Sequence, residues 1–321
     1  LSALVKARFP SVDLIRFTNS GTEANLMALV TARAATGRSH VLAFKGGYHG
    51  GVLAFKDGPS AVNAPFPMVM ATYNDIDGTV ALIEKHKNEL AAIILEPMMG
   101  GGGAIAADRS FLQALRDASA KHGIVLIFDE VMTSRLSPGG LQEVHGIRPD
   151  MTSFGKYIGG GFSFGAFGGT RQLMDRYDPT KPGSLAHAGT FNNNVMSMAA
   201  GAVGLREVYT PDAARKLSAA GESLKERLNR VFGEKRVAMQ ATGVGSLLSI
   251  HFQRTPIRRP ADVDSADDKR ALFHLEMMQR GYYLARRGYM ALSVVLEPKD
   301  YDGFVAAAGA VAEEYVSVLK D

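Results

Sequence analysis

Residues 124–130 read IVLIFDE. An unbroken run of branched and aromatic apolar residues reads as a strand buried on both faces, and strands of that kind belong to parallel sheets covered by helices. The run stops abruptly on acids, with Asp129 at its end. Ligands of open α/β sheets bind beyond the carboxyl ends of the strands. A buried carboxylate needs a partner, because an unpaired one costs several kcal/mol. A ligand carrying N–H⁺ meets that need, and so does a helix cap or a structural ion pair.

Similar runs lie on either side. Strands are expected at 14–19, 40–45, 68–73, 91–97, 151–155 and 164–170, which with 124–130 make seven. Helical periodicity is expected at 22–35, 77–89, 108–122, 194–209 and 212–232. The alternation predicts an α/β fold, a mostly parallel seven-stranded sheet with flanking helices. After residue 208 the texture changes to a long helix, short strands at 237–242, 246–252 and 289–295, and a terminal helix at 301–319. The expected division is a large domain at 1–208 and a smaller α+β C-terminal domain at 209–321.

The bulk properties narrow the function classes. With 321 residues, 46% of them hydrophobic, the chain has material for one large domain or two ordinary ones. A net charge of +4 and basic spots no denser than RTPIRR and ARRG argue against a nucleic-acid partner. No cysteine is present, so there are no disulfides and no thiolate metal sites; no metal is expected, and a reducing, cytoplasmic setting fits. No apolar run approaches the roughly 20 residues that span a bilayer. The chain opens at Leu1, inside what reads as a helix (LSALVKARFP), so an N-terminal segment is expected to be missing.

Three further strand ends carry chemistry. NSGTEAN (19–25) opens a helix: Ser20 and Glu23 have capping-box spacing, and Gly21 and Thr22 stand where free N–H groups bind phosphate. A plain N-cap explains the same residues. GGYHGG (46–51) brackets Tyr48 and His49 with glycines, which suits either a ring laid against a planar ligand or a surface turn. TSFGKYIGGG (152–161) places Lys156 at a strand end, where burial lowers a lysine pKa and makes a Schiff-base nucleophile; the alternative is a loop lysine in water. Together these read as a phosphate cup, an aromatic plate, an acid for a ring nitrogen and a Schiff-base lysine. That set fits pyridoxal 5'-phosphate.

FTNSGTEANLMAL, GGYHGG, ILEPMMGGGG, IFDEVMTSRL, FGKYIGGGFSFGAFGG and HAGTFNNNVMSMAAG, in this order, resemble class III aminotransferases of pyridoxal-phosphate fold type I. DEVMTSRL, GTFNNNVM and RRGYMALS are most similar to aminotransferases acting on β-amino acids such as β-phenylalanine; glutamate-1-semialdehyde 2,1-aminomutases share the branch. The resemblance implies transamination of an amine or β-amino acid to a keto acid acceptor, with Lys156 forming the Schiff base and moving the proton. It implies Asp129 at the pyridine nitrogen, Ser20, Gly21 and Thr22 on the phosphate, and Tyr48 and Val131 on the two ring faces. Thr190 is expected to reach the cofactor of a neighbouring subunit, making a homodimer with shared active sites. Glu96 and His49 are expected behind the contact residues. Arg287, beside Arg286, and Met99 are candidate substrate contacts, although an exposed arginine is equally an ordinary solvated charge. The glycines after Lys156 are expected to leave room for the coenzyme and the neighbouring chain. Family members carry a longer stretch before the phosphate loop, and MMGGGG (98–103) is bare for the family.

Rival readings differ in class. GFSFG (161–165) matches the nucleophile elbow of serine hydrolases, with His187 and His251 downstream, but Ser163 leads into another strand and the elbow requires a helix. No G-x-G-x-x-G or Walker loop supports a dinucleotide or nucleotide enzyme. A catalytically dead homologue would keep the fold without the chemistry, yet every cofactor position holds a competent residue. An aminomutase uses the same lysine and acid.

Overall fold

A computed structural model describes residues 1–320. The strands are β1 (Leu14–Thr18), β2 (His40–Phe44), β3 (Met68–Ala71), β4 (Leu90–Leu95), β5 (Met98–Met99), β6 (Ile105–Ala106), β7 (Val125–Asp129), β8 (Met151–Gly155), β9 (Gly165–Gly169), β10 (Gln240–Val244), β11 (Leu247–His251) and β12 (Tyr289–Ala291). Seven of them form one sheet in the order β1-β9-β8-β7-β4-β2-β3. Strand β9 runs antiparallel to both neighbours, and the pairs β8–β7, β7–β4, β4–β2 and β2–β3 are parallel. All seven expected strands are present, and the sheet is mostly parallel as expected.

Burial explains why the central runs are unbroken. Every residue of β4, β7 and β8 is buried, so each side chain meets a helix layer whichever face it takes. On one side Ala24, Ala28 and Ala32 of the helix Gly21–Thr36 pack with Ile94, Ile127 and Phe167. The small alanines bring that helix close to the sheet. Elsewhere Phe44, Tyr73 and Phe111 form an edge-to-face triangle with centroids 5.4–5.8 Å apart.

The chain divides into two compact units, Leu1–Gly101 with Ala107–Asp212, and Gly102–Ala106 with Ala213–Asp321. The division falls just beyond the boundary expected at 208, and the second unit also takes a short excursion out of the first. That second unit holds a three-stranded antiparallel sheet, β10-β11-β12, and long helices. Three details differ from expectation. The 194–209 helix runs as α-helix over Val195–Val203 and widens to a π turn over Gly204–Val208. The strand expected at 289–295 stops at Ala291, where pairing with β11 ends. The terminal helix starts earlier, at Pro298 behind Glu297, as a proline in the first turn favours. Among the described residues no helix is long and apolar enough to cross a membrane.

Candidate active site

In the first unit, the carboxyl ends of β1, β2, β4, β7 and β8 bring their following residues to one cavity. It measures about 340 Å³ and is lined by Ser20, Gly21, Thr22, Tyr48, His49, Glu96, Asp129, Val131 and Lys156 among others. That volume lies in the range of small-molecule sites, roughly 300–1,000 Å³.

The cup is a helix N-terminus. Ser20 caps the helix Gly21–Thr36, its hydroxyl accepting from Glu23 N at 3.2 Å, while the Glu23 carboxylate accepts from Asn19 N at 2.7 Å. The cap is half of the expected capping box: Ser20 caps Glu23, while the Glu23 carboxylate reaches back one residue further, to the Asn19 amide, and not to the amide of Ser20. It fixes the turn, and the amides of Gly21 and Thr22 face no intrahelical carbonyl. A Cβ on Gly21 would lie 2.8 Å from Val131 Cγ2, and one on Gly155 would lie 3.1 Å from Val131 Cγ1. Two glycines thus seat Val131 against the wall.

Asp129 is 4% exposed. Its Oδ2 accepts from Asn25 Nδ2 at 2.8 Å and lies 2.8 Å from His49 Nδ1, and its Oδ1 accepts from Val131 N at 3.0 Å. The donors orient the carboxylate without supplying a lysine or arginine partner. Asn25 went unassigned in the sequence reading. The available signal was a polar residue within a helix, a position that asparagine does not favour on propensity.

Lys156 begins a 3₁₀ turn directly after β8, with φ +52° in the left-handed region. That conformation costs a non-glycine residue about 1 kcal/mol, and such strain collects at functional sites. The side chain is exposed to the cavity, yet the surrounding protein lowers the ammonium pKa against the opposing pull of Asp129 and Glu96.

Two of the three glycines behind Lys156 are close-packed. A Cβ on Gly159 would collide with Phe164, and one on Gly160 with the backbone of Ala200, while nothing lies within 4 Å of one on Gly161. Gly159 and Gly160 let the lysine turn pack against its own chain.

Other expected residues are not in the lining. Thr190, expected to serve a neighbouring subunit's cofactor and not this cavity, is exposed. Met99 is buried at 1% exposure, its methyl 3.9 Å from where a Cβ of Gly47 would stand, and the methionine that lines the cavity is Met132. Arg286 and Arg287 are exposed in the second unit, where the Arg287 guanidinium stacks 5.2 Å from the centre of the Tyr289 ring. Phe162, Ser163 and Phe164 also line the cavity. Ser163 leads into β9 with no helix after it, and His187 is engaged by Arg16 at 3.1 Å, so the serine-hydrolase arrangement is absent.

Gly50 has φ +121°, and a Cβ there would overlap the Thr22 side chain. Gly50→Ala is expected to cost about 1–3 kcal/mol, read as a lower Tm, and to weaken anion binding at the cup by displacing Thr22.

The class III aminotransferase family model matches residues 1–281. The chain belongs to that family. It is 49% identical over 310 residues to the β-phenylalanine transaminase of Variovorax paradoxus, covering 96% of this chain and 71% of that protein. A crystal structure of a β-phenylalanine aminotransferase from Variovorax paradoxus matches with a TM-score of 0.97 at 47% identity, over 99% of this chain and 74% of that one. An ω-transaminase from Sphaerobacter thermophilus matches at a TM-score of 0.90 and 37% identity, over 97% and 76% of the two chains. A glutamate-1-semialdehyde 2,1-aminomutase of Anaeromyxobacter sp. (strain K) is 38% identical over 327 residues, 96% of this chain and 75% of that protein. Class III aminotransferases use pyridoxal phosphate, and this chain is a pyridoxal-phosphate-dependent transaminase of fold type I.

The cavity fits that cofactor. Asp129 offers an oriented carboxylate with no lysine or arginine hydrogen-bonded to it, and Gly21 and Gly50 let the Val131 and Thr22 side chains pack close at the cavity wall. Among the described residues no cluster of histidines and acids could hold a metal ion.

Proposed function

We propose that this chain transfers the amino group of a β-amino acid of the β-phenylalanine kind to a keto acid acceptor, with pyridoxal phosphate held on Lys156. The observation that carries the reading is that Lys156, Asp129 and the first turn of the helix Gly21–Thr36 wall one cavity. The donor class is supported by the 49% identity to the Variovorax enzyme.

When bound, pyridoxal phosphate supplies an electron sink for charge developing at the amine-bearing carbon. The remaining work belongs to the chain. The Gly21 and Thr22 amides and the Ser20 cap hold the phosphate. Asp129 keeps a proton on the ring nitrogen, its orientation set by Asn25 and His49. Tyr48 and Val131 hold the ring by its faces. The Lys156 amine would hold the cofactor and, once released from it, would take the proton from the donor's amine-bearing carbon and deliver it across the amine nitrogen, to the carbon that carried the cofactor's aldehyde. Lowering of its pKa keeps more of that amine neutral, as a base requires. In a β-amino acid the carboxylate lies one carbon further from the reacting carbon than in an α-amino acid, so the cation that reads it stands further from Lys156. Arg287 is assigned that role. The active unit is a homodimer in the cytoplasm, with Thr190 reaching the partner's phosphate.

The test is the visible spectrum of the pyridoxal-phosphate-loaded protein before and after β-phenylalanine. A cofactor band that bleaches supports both cofactor and donor. A band that stays unchanged with β-phenylalanine but responds to glutamate 1-semialdehyde moves the assignment to an aminomutase. If no band can be restored by added cofactor, the reading of Lys156 is wrong. Sedimentation velocity checks the dimer.

A further inference from the structure

Glu96 follows β4, is 4% exposed, and uses both carboxylate oxygens on backbone donors from two different loops. Its Oε1 accepts from Tyr48 N and its Oε2 from Gly100 N, each at 3.0 Å. Its own main-chain carbonyl is held by the Tyr73 hydroxyl at 2.7 Å, so the acid does not drift. The two loops meet closely: a Cβ on Gly101 would lie 3.5 Å from Tyr48 Cβ, and one on Gly100 would collide with Met132. Tyr48, by contrast, is half exposed at 51%, and its ring stands at the cavity. The backbone of this aromatic residue is therefore tied down from beneath by one carboxylate.

We propose that Glu96 is a positioning residue, a clasp that ties the Tyr48 loop to the Gly100 turn and so sets where the Tyr48 ring stands at the cavity. Both limbs need an acceptor oxygen. Protonation removes the charge and turns one oxygen into a hydroxyl, a poorer acceptor that carries a donor of its own, and so loosens that limb.

The clasp sits where it titrates. Burial pushes the Glu96 carboxyl up to about 7; His49 opposes this, Asp129 adds to it, and the Gly100 and Tyr48 amides oppose it. Lys156 is the other charged group that feels Glu96. Because the folded value lies above the ordinary one of 4.5, the folded chain holds this proton across the interval between the two. The stability this group contributes is full below that interval and is lost as pH rises through about 7. The closed, ionised clasp thus belongs to the alkaline side of neutrality and the open one to the acid side.

The chain has no tryptophan, so Tyr48→Trp installs a single indole at the loop in question. Its emission maximum is titrated through neutrality in the full chain, with and without pyridoxal phosphate. The expected result is a shift with a midpoint of about 7. Adding Glu96→Gln, which fixes a donor on one limb at every pH, should abolish the shift and leave emission at its acid-side position. Glu96→Asp keeps both oxygens but draws them back by one methylene; it should still titrate, with a displaced emission. A flat titration of the Tyr48→Trp protein overturns the proposal. So does a midpoint that survives Glu96→Gln, which would move the titration to His49, and so does an aspartate variant indistinguishable from its parent. A second readout rests on the functional reading above: cofactor affinity should be about tenfold weaker in Glu96→Gln at alkaline pH, the worth of one charge-assisted hydrogen bond. Should the indole titrate as described while no variant binds pyridoxal phosphate, the clasp stands and the cofactor reading fails.

Discussion

Lys156→Ala is expected to lower turnover about 10⁴-fold, while the protein stays folded. The figure is the upper range for removing a positioned acid–base group, and this side chain also holds the cofactor. Folding should survive because the side chain is exposed to the cavity and its backbone sits in the left-handed region, which alanine shares at no greater cost than lysine. The variant should still bind pyridoxal phosphate through the helix cap, Asp129 and the ring faces, but without the visible band that a covalent lysine link gives. Stopped-flow absorbance with an amine donor measures both quantities. Full turnover in Lys156→Ala would remove the basis of the mechanism. An added small amine should recover part of the lost rate if the missing function is proton transfer.

Asp129→Asn comes second. The asparagine fills nearly the same space and its oxygen can still accept from Val131 N, while its amide nitrogen replaces the oxygen that Asn25 donates to, so Asn25, whose own Oδ1 is otherwise unpaired, must turn its amide over for the pocket to keep its shape. What disappears is the charge facing the ring nitrogen. An opposite charge at that range shifts a pKa by one to three units, at about 1.4 kcal/mol per unit. Turnover is therefore expected to fall roughly 10- to 10³-fold while cofactor is retained. The loss should ease toward acidic pH, where solution protonates the ring nitrogen without help. A variant with unaltered turnover near neutrality would show that Asp129 serves only His49 and Asn25.

Much of this fold was legible because buried parallel strands are written as unbroken apolar runs. IVLIF and LAAIIL could belong to little else, and the strands β7 and β4 fall where those runs lie. Asp129 and Lys156, the proposed catalytic pair, drew notice for a related reason: a charge at the end of such a run must be explained. What escaped had no local signature. The helix Asp267–Gln279 buries only Phe273 and Met277, so its apolar stripe is too thin to read. Asn25 matters through Asp129, more than a hundred residues away. The role of Gly159 and Gly160 depends on Phe164 and Ala200, and a glycine says only that something comes close, not what. Met99 and Met132 are chemically equivalent in sequence, and tertiary packing alone decides which one reaches the cavity.

The left-handed backbone at Lys156 bears on how such a chain changes over generations. Glycine or asparagine would fit that φ with less strain than lysine does. The proposed active residue is thus held against a local gradient in stability, and a lineage released from the need for turnover should lose this lysine early while keeping its fold. Thermal screening of a library randomised at 156 should then enrich inactive proteins above active ones, and a selection meant to toughen the enzyme must score amino transfer alongside heat resistance.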